Sequence, residues 1–166
     1  VGEAAFKIPD NEVVVTKFGV DSPECMTSVV LPEKAAVIGN EAFAQNALTV
    51  VDFTGITSIG YHAFYGNDLV EAMLPDTVVE MGEGAFSAND ITKIRLSNGV
   101  TKIPAGAFSM NIRLAQVEIP DTVTEIGQTA FAGARLTSLT IPASVTKIGD
   151  KAFHLHHLTE LVIPGN

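Results

Sequence analysis

The dipeptide Ala-Phe recurs with its phenylalanine at positions 43, 64, 86, 108, 131 and 153, at intervals of 21, 22, 22, 23 and 22 residues. A period of that length, held in phase over six copies, belongs to a chain wound in successive coils. Each coil is too small to bury an apolar face alone and is stable only against its neighbours. A second element keeps the same period in the form L-x-x-L-x-I-P: Met26 to Pro32, Leu48 to Thr54, Leu69 to Pro75, Ile91 to Ser97, Leu114 to Pro120, Leu136 to Pro142 and Leu158 to Pro164, with Glu3 to Pro9 a degenerate eighth copy. Between the two lies V-x-x-I-G, clearest at Val123, Ile126, Gly127 and at Val145, Ile148, Gly149. One coil therefore reads as a strand, a turn, a short second strand, a glycine, and a helical or 3₁₀ turn that carries Ala-Phe.

Each slot has a physical reason. In L-x-x-L-x-I the first, fourth and sixth residues face inward and stack into columns from coil to coil. Proline follows the strand at Pro9, Pro32, Pro75, Pro120, Pro142 and Pro164, where its missing N–H ends the pairing instead of breaking it midway. Gly39, Gly60, Gly82, Gly127 and Gly149 precede the Ala-Phe turn, at a place requiring either φ > 0 or close backbone approach, with Gly19 in the same place in the first coil. Pro104 stands in that slot in one coil and excludes a strictly left-handed conformation there. Three residues after the phenylalanine comes a ladder of Asn46, Asn67, Asn89 and Asn111, whose amides are expected to satisfy backbone groups at the turn; it lapses at Ala134 and His156. All nine phenylalanines fall on repeat positions, including Phe6, Phe53 and Phe18, so no aromatic cluster is left over for a cofactor box.

These units, best seen in Leu136-Thr-Ser-Leu-Thr-Ile-Pro142 and in the segment from Val145 to Phe153, resemble the repeat of BspA-like leucine-rich-repeat proteins over residues 26–164. The resemblance implies a right-handed solenoid of about seven coils, with a parallel β-sheet on one face and short β or 3₁₀ segments on the other. It also implies a secreted or surface-anchored bacterial protein that acts as an adhesin. The family has no fixed catalytic motif to transfer. Residues 10–25 keep the coil length without its pattern, and Val13, Val14 and Val15 form an apolar run there, so residues 1–25 are expected to be an atypical N-terminal coil or cap, or the junction with a preceding domain. The regular repeats then occupy residues 26–166. The opening at Val1 and the stop directly after the eighth strand lead us to expect a piece of a longer chain.

Function should lie in the variable positions. The outward third and fifth strand places form a lateral stripe, richest at Asp52, Glu71, Met73, Lys93, Arg95, Gln116 and Glu118. Two readings stand: a cross-strand charge ladder in which Glu71 faces Lys93 and Arg95 faces Glu118, or a mixed charged and apolar surface that binds a host or neighbouring-cell protein or glycan. A passive spacer that presents another domain is the alternative for the chain as a whole. The formal charge of −9 repels phosphate backbones and argues against nucleic acid. Without a run of about 18 apolar residues the segment does not insert in a membrane. Cys25 is the one cysteine and has no internal disulfide partner.

His154, His156 and His157 are the one constellation that suggests metal, but no adjacent Cys, Asp or Glu completes a ligand set, so no metal site and no cofactor are expected; His62 reads as a solvated turn residue. Nucleophile-elbow, P-loop and zincin motifs are absent, and no acidic pair is placed at glycosidase separation. The expectation is therefore no enzymatic activity.

Overall fold

The computed structural model describes residues 13–15, 26–32, 34–154 and 158–163. Residues 1–25, expected as an atypical N-terminal coil or cap and including Cys25, lie outside the described residues apart from Val13–Val15, as do His156, His157 and residues 164–166.

Two sets of short parallel strands follow from the two periodic sequence elements. On the first face lie β4 (Glu71–Met73), β6 (Lys93–Arg95), β8 (Gln116–Glu118), β10 (Ser138–Thr140) and β12 (Glu160–Val162). On the second lie β1 (Val13–Val15), β2 (Ala35–Ile38), β3 (Ser58–Ile59), β5 (Glu80–Met81), β7 (Lys102–Ile103), β9 (Glu125–Ile126) and β11 (Lys147–Ile148). Every pairing is parallel, and each joins one coil to the next, as a solenoid requires. Between the faces the inward slots form one continuous core. Phe43, Phe64, Phe86, Phe108 and Phe131 are fully buried in it and stack with Phe153 at centroid separations of 5.4 to 5.7 Å, their planes within 15° of parallel.

Proline closes the first strand in a specific way. Its carbonyl accepts the N–H three residues on, in Val78→Pro75, Val123→Pro120 and Val145→Pro142 at 3.0 to 3.1 Å, and so starts the second strand element. The coil one residue short lacks a residue at this corner, and there the bond runs from Ile56 to Phe53 O instead, with Gly55 at φ 82°. The coil one residue long carries its extra residue between Asn111 and Leu114.

The Ala-Phe turn is not a 3₁₀ helix. Its two ends are left-handed, with φ between 49° and 66° at Glu41 and Gln45, His62 and Gly66, Gly84 and Ala88, and Gly106 and Met110, and with Thr129, Gly133 and Lys151 in the same places. This geometry points N–H groups along the stack. Glu41, Phe43 and Gln45 donate to the carbonyls of Tyr61, Ala63 and Tyr65, and later coils repeat the pattern. The glycine before the turn is required for close approach, not for positive φ: a Cβ on Gly82 would stand 2.3 Å from Tyr61 N, and one on Gly127 2.6 Å from Ala105 N.

The asparagine ladder behaves as expected. The Asn89 Oδ1 accepts Leu69 N–H of the preceding coil, and its Nδ2 donates to the carbonyls of Phe64, Phe86 and Ser87; Asn67 and Asn111 repeat the arrangement. Where Ala134 ends the ladder, Leu114 N–H loses its amide acceptor. It bonds instead to Asn111 O at 3.0 Å, across the inserted residue.

Candidate binding face

The expected stripe exists, but it is shorter and differently paired than its sequence suggests. Parallel register sets Glu71 beside Lys93 and Met73 beside Arg95, then Lys93 beside Gln116 and Arg95 beside Glu118. Six of the seven predicted residues thus share one hydrogen-bonded sheet of β4, β6 and β8. Asp52 does not join it. Its Oδ1 accepts both the N–H and the hydroxyl of Thr54, at 2.9 and 2.7 Å, and these bonds hold its carboxyl below the ordinary carboxylate range. The local turn competes with lateral pairing, and neither Leu48 to Thr54 nor Met26 to Pro32 forms a strand.

The ion pairs differ from those expected of directly opposed charges. Lys93 Nζ lies 3.8 Å from Glu118 Oε1, and Arg95 reaches 3.8 Å from Asp76 Oδ1. Although Glu71 and Lys93 are in register, no ion pair joins them among the described residues. Long side chains on a twisted sheet reach diagonal neighbours as readily as opposed ones. Asp76, which lies just past Pro75 and is absent from the predicted set, is fixed by Asn98, whose backbone N–H and amide both donate to it. Those bonds, with a smaller contribution from Arg95, lower its pKa. A direct charge ladder does occur, on the second face. Glu125 stands between Lys102 and Lys147 in register, at 3.4 and 2.6 Å, which lowers the pKa of its carboxyl.

The first-face sheet is interrupted. β8 pairs with β6 and β10 pairs with β12, but β8 and β10 do not pair, and most of their Cα atoms lie more than 8 Å apart. A groove of about 710 Å³ opens there, lined by residues of β8, β10 and β12. The second face is interrupted elsewhere, between β5 and β7. There Pro104 has no N–H to donate where Gly60, Gly82, Gly127 and Gly149 each bond to the preceding coil at 2.7 to 2.8 Å.

His154 is exposed, and no cluster of three metal-ligating side chains occurs among the described residues. One aromatic cluster does fall outside the phenylalanine column. Tyr61, His62 and Tyr65 stack at 4.0 and 5.0 Å. Sequence spacing gave no signal for it, because Tyr61 and His62 are variable positions that the left-handed turn folds together.

The pattern of strand, corner, second strand and Phe turn matches a BspA type leucine rich repeat region, in six copies, over residues 21–133 and 80–166. The chain belongs to the BspA-type leucine-rich repeat family. Among solved structures it is similar to a leucine-rich repeat protein of Bacteroides ovatus, with 27% identity and a TM-score of 0.63, over 95% of this chain and 41% of that one. It is also similar to the T. pallidum leucine rich repeat protein, with 26% identity and a TM-score of 0.64, over 82% of this chain and 67% of that one. The chain therefore spans less than half the length of the first of these proteins. No curated protein sequence matches it. Among the described residues of this BspA-type domain, no helix is long and apolar enough to cross a membrane.

Proposed function

We propose that this domain is a non-enzymatic binding module of a bacterial cell-surface or secreted protein, and that it engages a protein partner through the outward side chains of β4, β6 and β8. BspA-type membership supports the class, since leucine-rich repeats generally serve protein interaction. One observation carries the assignment of the face. Met73, 42% exposed, stands in register beside the half-exposed Arg95, between the charges of Glu71, Lys93 and Glu118 and on a hydrogen-bonded three-stranded sheet. Met and Arg are enriched where protein interfaces form, and a fixed backbone lowers the ordering cost of binding.

The test is binding of the chain to an array of immobilised extracellular host and bacterial glycoproteins. The double substitution Lys93→Ala and Arg95→Ala should leave the melting temperature within a few degrees of the parent and weaken a real partner at least tenfold. Unchanged affinity rejects this face. The second reading, a passive spacer, is favoured by the way Glu118 and Asp76 already occupy the two cations. A spacer would tolerate deletion of one whole repeat with no loss of function in the full protein, whereas a binding face in fixed register would not.

A further inference from the structure

The gap between β8 and β10 is unlike the rest of the first face. At the other junctions of hydrogen-bonded strands, the sixth strand residue donates to the next coil, as in Leu74→Arg95 O, Leu96→Glu118 O and Ile141→Val162 O at 2.9 to 3.5 Å. The second residue's carbonyl accepts from the next coil, as Thr92 O does from Ala115 and Gln116 and Thr137 O from Thr159 and Glu160. Between β8 and β10 no such bond forms. Alternation along a parallel ladder points the N–H and C=O of Val117, the C=O of Ala115 and the N–H of Ile119 into the gap from one side. The N–H and C=O groups of Ser138 and Thr140 point into it from the other. Both walls are therefore open strand edges.

The gap is bounded. Arg135 N–H bonds to Leu114 O at 2.9 Å at one end, Ser144 Oγ to Val123 O at 2.7 Å and Thr146 N–H to Thr124 O at 2.8 Å at the other, and on the second face β9 and β11 remain paired. The coils are thus in contact behind and at both ends, and apart only along about one strand length. Edges that share a direction accept one added strand at two ladder spacings, about 9.6 Å, and most Cα pairs between β8 and β10 already exceed 8 Å.

The lining indicates what such a strand carries. Val117 and Ile119 are only half-buried, whereas Ile94 and Leu96, their counterparts one coil earlier, are fully buried; apolar surface faces the gap. Around it stand Glu118, Asp121 and Glu160, with no cation among the lining residues.

We propose that this gap is a strand-insertion site that takes an extended peptide with aliphatic side chains inward and basic side chains outward, hydrogen-bonded to β8 and β10 at once. Its main-chain hydrogen bonds do not depend on the side-chain face assigned above, with which it shares Glu118. Strand addition of this kind derives affinity from the backbone and selectivity from alternate side chains.

The probe is an acetylated and amidated heptapeptide of alternating Lys and Val, titrated into the full chain by calorimetry while amide exchange is followed by NMR. In the free protein the amides of Val117, Ile119, Ser138 and Thr140 should exchange much faster than that of Ile94, and the peptide should slow them at least tenfold. N-methylation of the peptide at alternate residues, in either phase, should weaken binding at least tenfold, as should replacement of its Lys by Glu. Ser138→Pro removes an N–H that bonds to nothing in the protein, so it should leave the fold intact and weaken the peptide at least tenfold. Arg95→Ala should leave peptide affinity unchanged, which separates failure of the side-chain face from failure of this site. Slow exchange of those four amides in the free chain, indifference to N-methylation, or absence of binding would overturn the proposal. So would self-association that Ser138→Pro abolishes, which would make a second copy the occupant.

Discussion

At the residue scale the repeat divides into positions that bury a side chain, positions that pair the backbone and positions that only fit. Phe108 is of the first kind. Its ring is fully buried between those of Phe86 and Phe131, so Phe108→Ala should cost about 3–5 kcal/mol in denaturant unfolding. Asn89 is of the second kind: its removal strands Leu69 N–H inside the protein and takes one of two amide donors from each of the carbonyls of Phe64 and Phe86, which keep Asn67 and Asn111. Asn89→Leu should therefore destabilise by about 1–3 kcal/mol although it adds apolar bulk, because an unsatisfied buried group costs about that much. Ala88 is of the third kind. It sits at φ 54°, where a Cβ is strained, and Ala88→Gly should raise stability by about 0.5–1 kcal/mol even though glycine usually loosens a chain. The buried phenylalanines and the asparagine ladder are visible in the sequence because the same chemistry recurs at one spacing. The left-handed positions are not, since residues as different as Glu41, His62, Thr129 and Lys151 fill one of them.

At the scale of elements, the interruptions of the two sheets have local causes of different kinds. The break in the second face coincides with the donor that Pro104 lacks. Pro104→Ala should give position 104 an amide that is protected from exchange by bonding to the β5 coil, with little change in melting temperature; a freely exchanging amide there would mean that other packing holds β5 and β7 apart. Asp52 withdraws its segment from the first face by bonding to Thr54 instead. Both residues are plain in the sequence, yet their effect is not, because a ladder bond belongs to two coils and a sequence motif to one. The candidate face was legible to the same degree. Register from a fixed period correctly set Glu71 beside Lys93 and Arg95 beside Glu118. Side-chain reach then selected the pairs Lys93 with Glu118 and Arg95 with Asp76.

At the scale of the whole molecule, three carboxylates among the described residues respond to acid in the same direction. Asp52, Asp76 and Glu125 all have lowered pKa values in the folded state. The unfolded chain therefore binds their protons first as pH falls, and the stability they contribute, fully present at neutral pH, declines below the ordinary carboxylate range. The melting temperature should be flat near neutrality and fall below about pH 4. Substituting Asn98→Ala, which removes the amide donor to Asp76, should make that fall shallower. By itself the sequence determined the solenoid, its period, its core columns and its asparagine ladder, because each of these repeats one local rule coil after coil and periodicity is additive along a chain. Only the tertiary structure decided where the sheets break, which charges meet, and that β8 and β10 stand apart with their edges open. Those features arise between coils, where a proline, a competing turn or a missing ladder amide in one coil is felt by its neighbour.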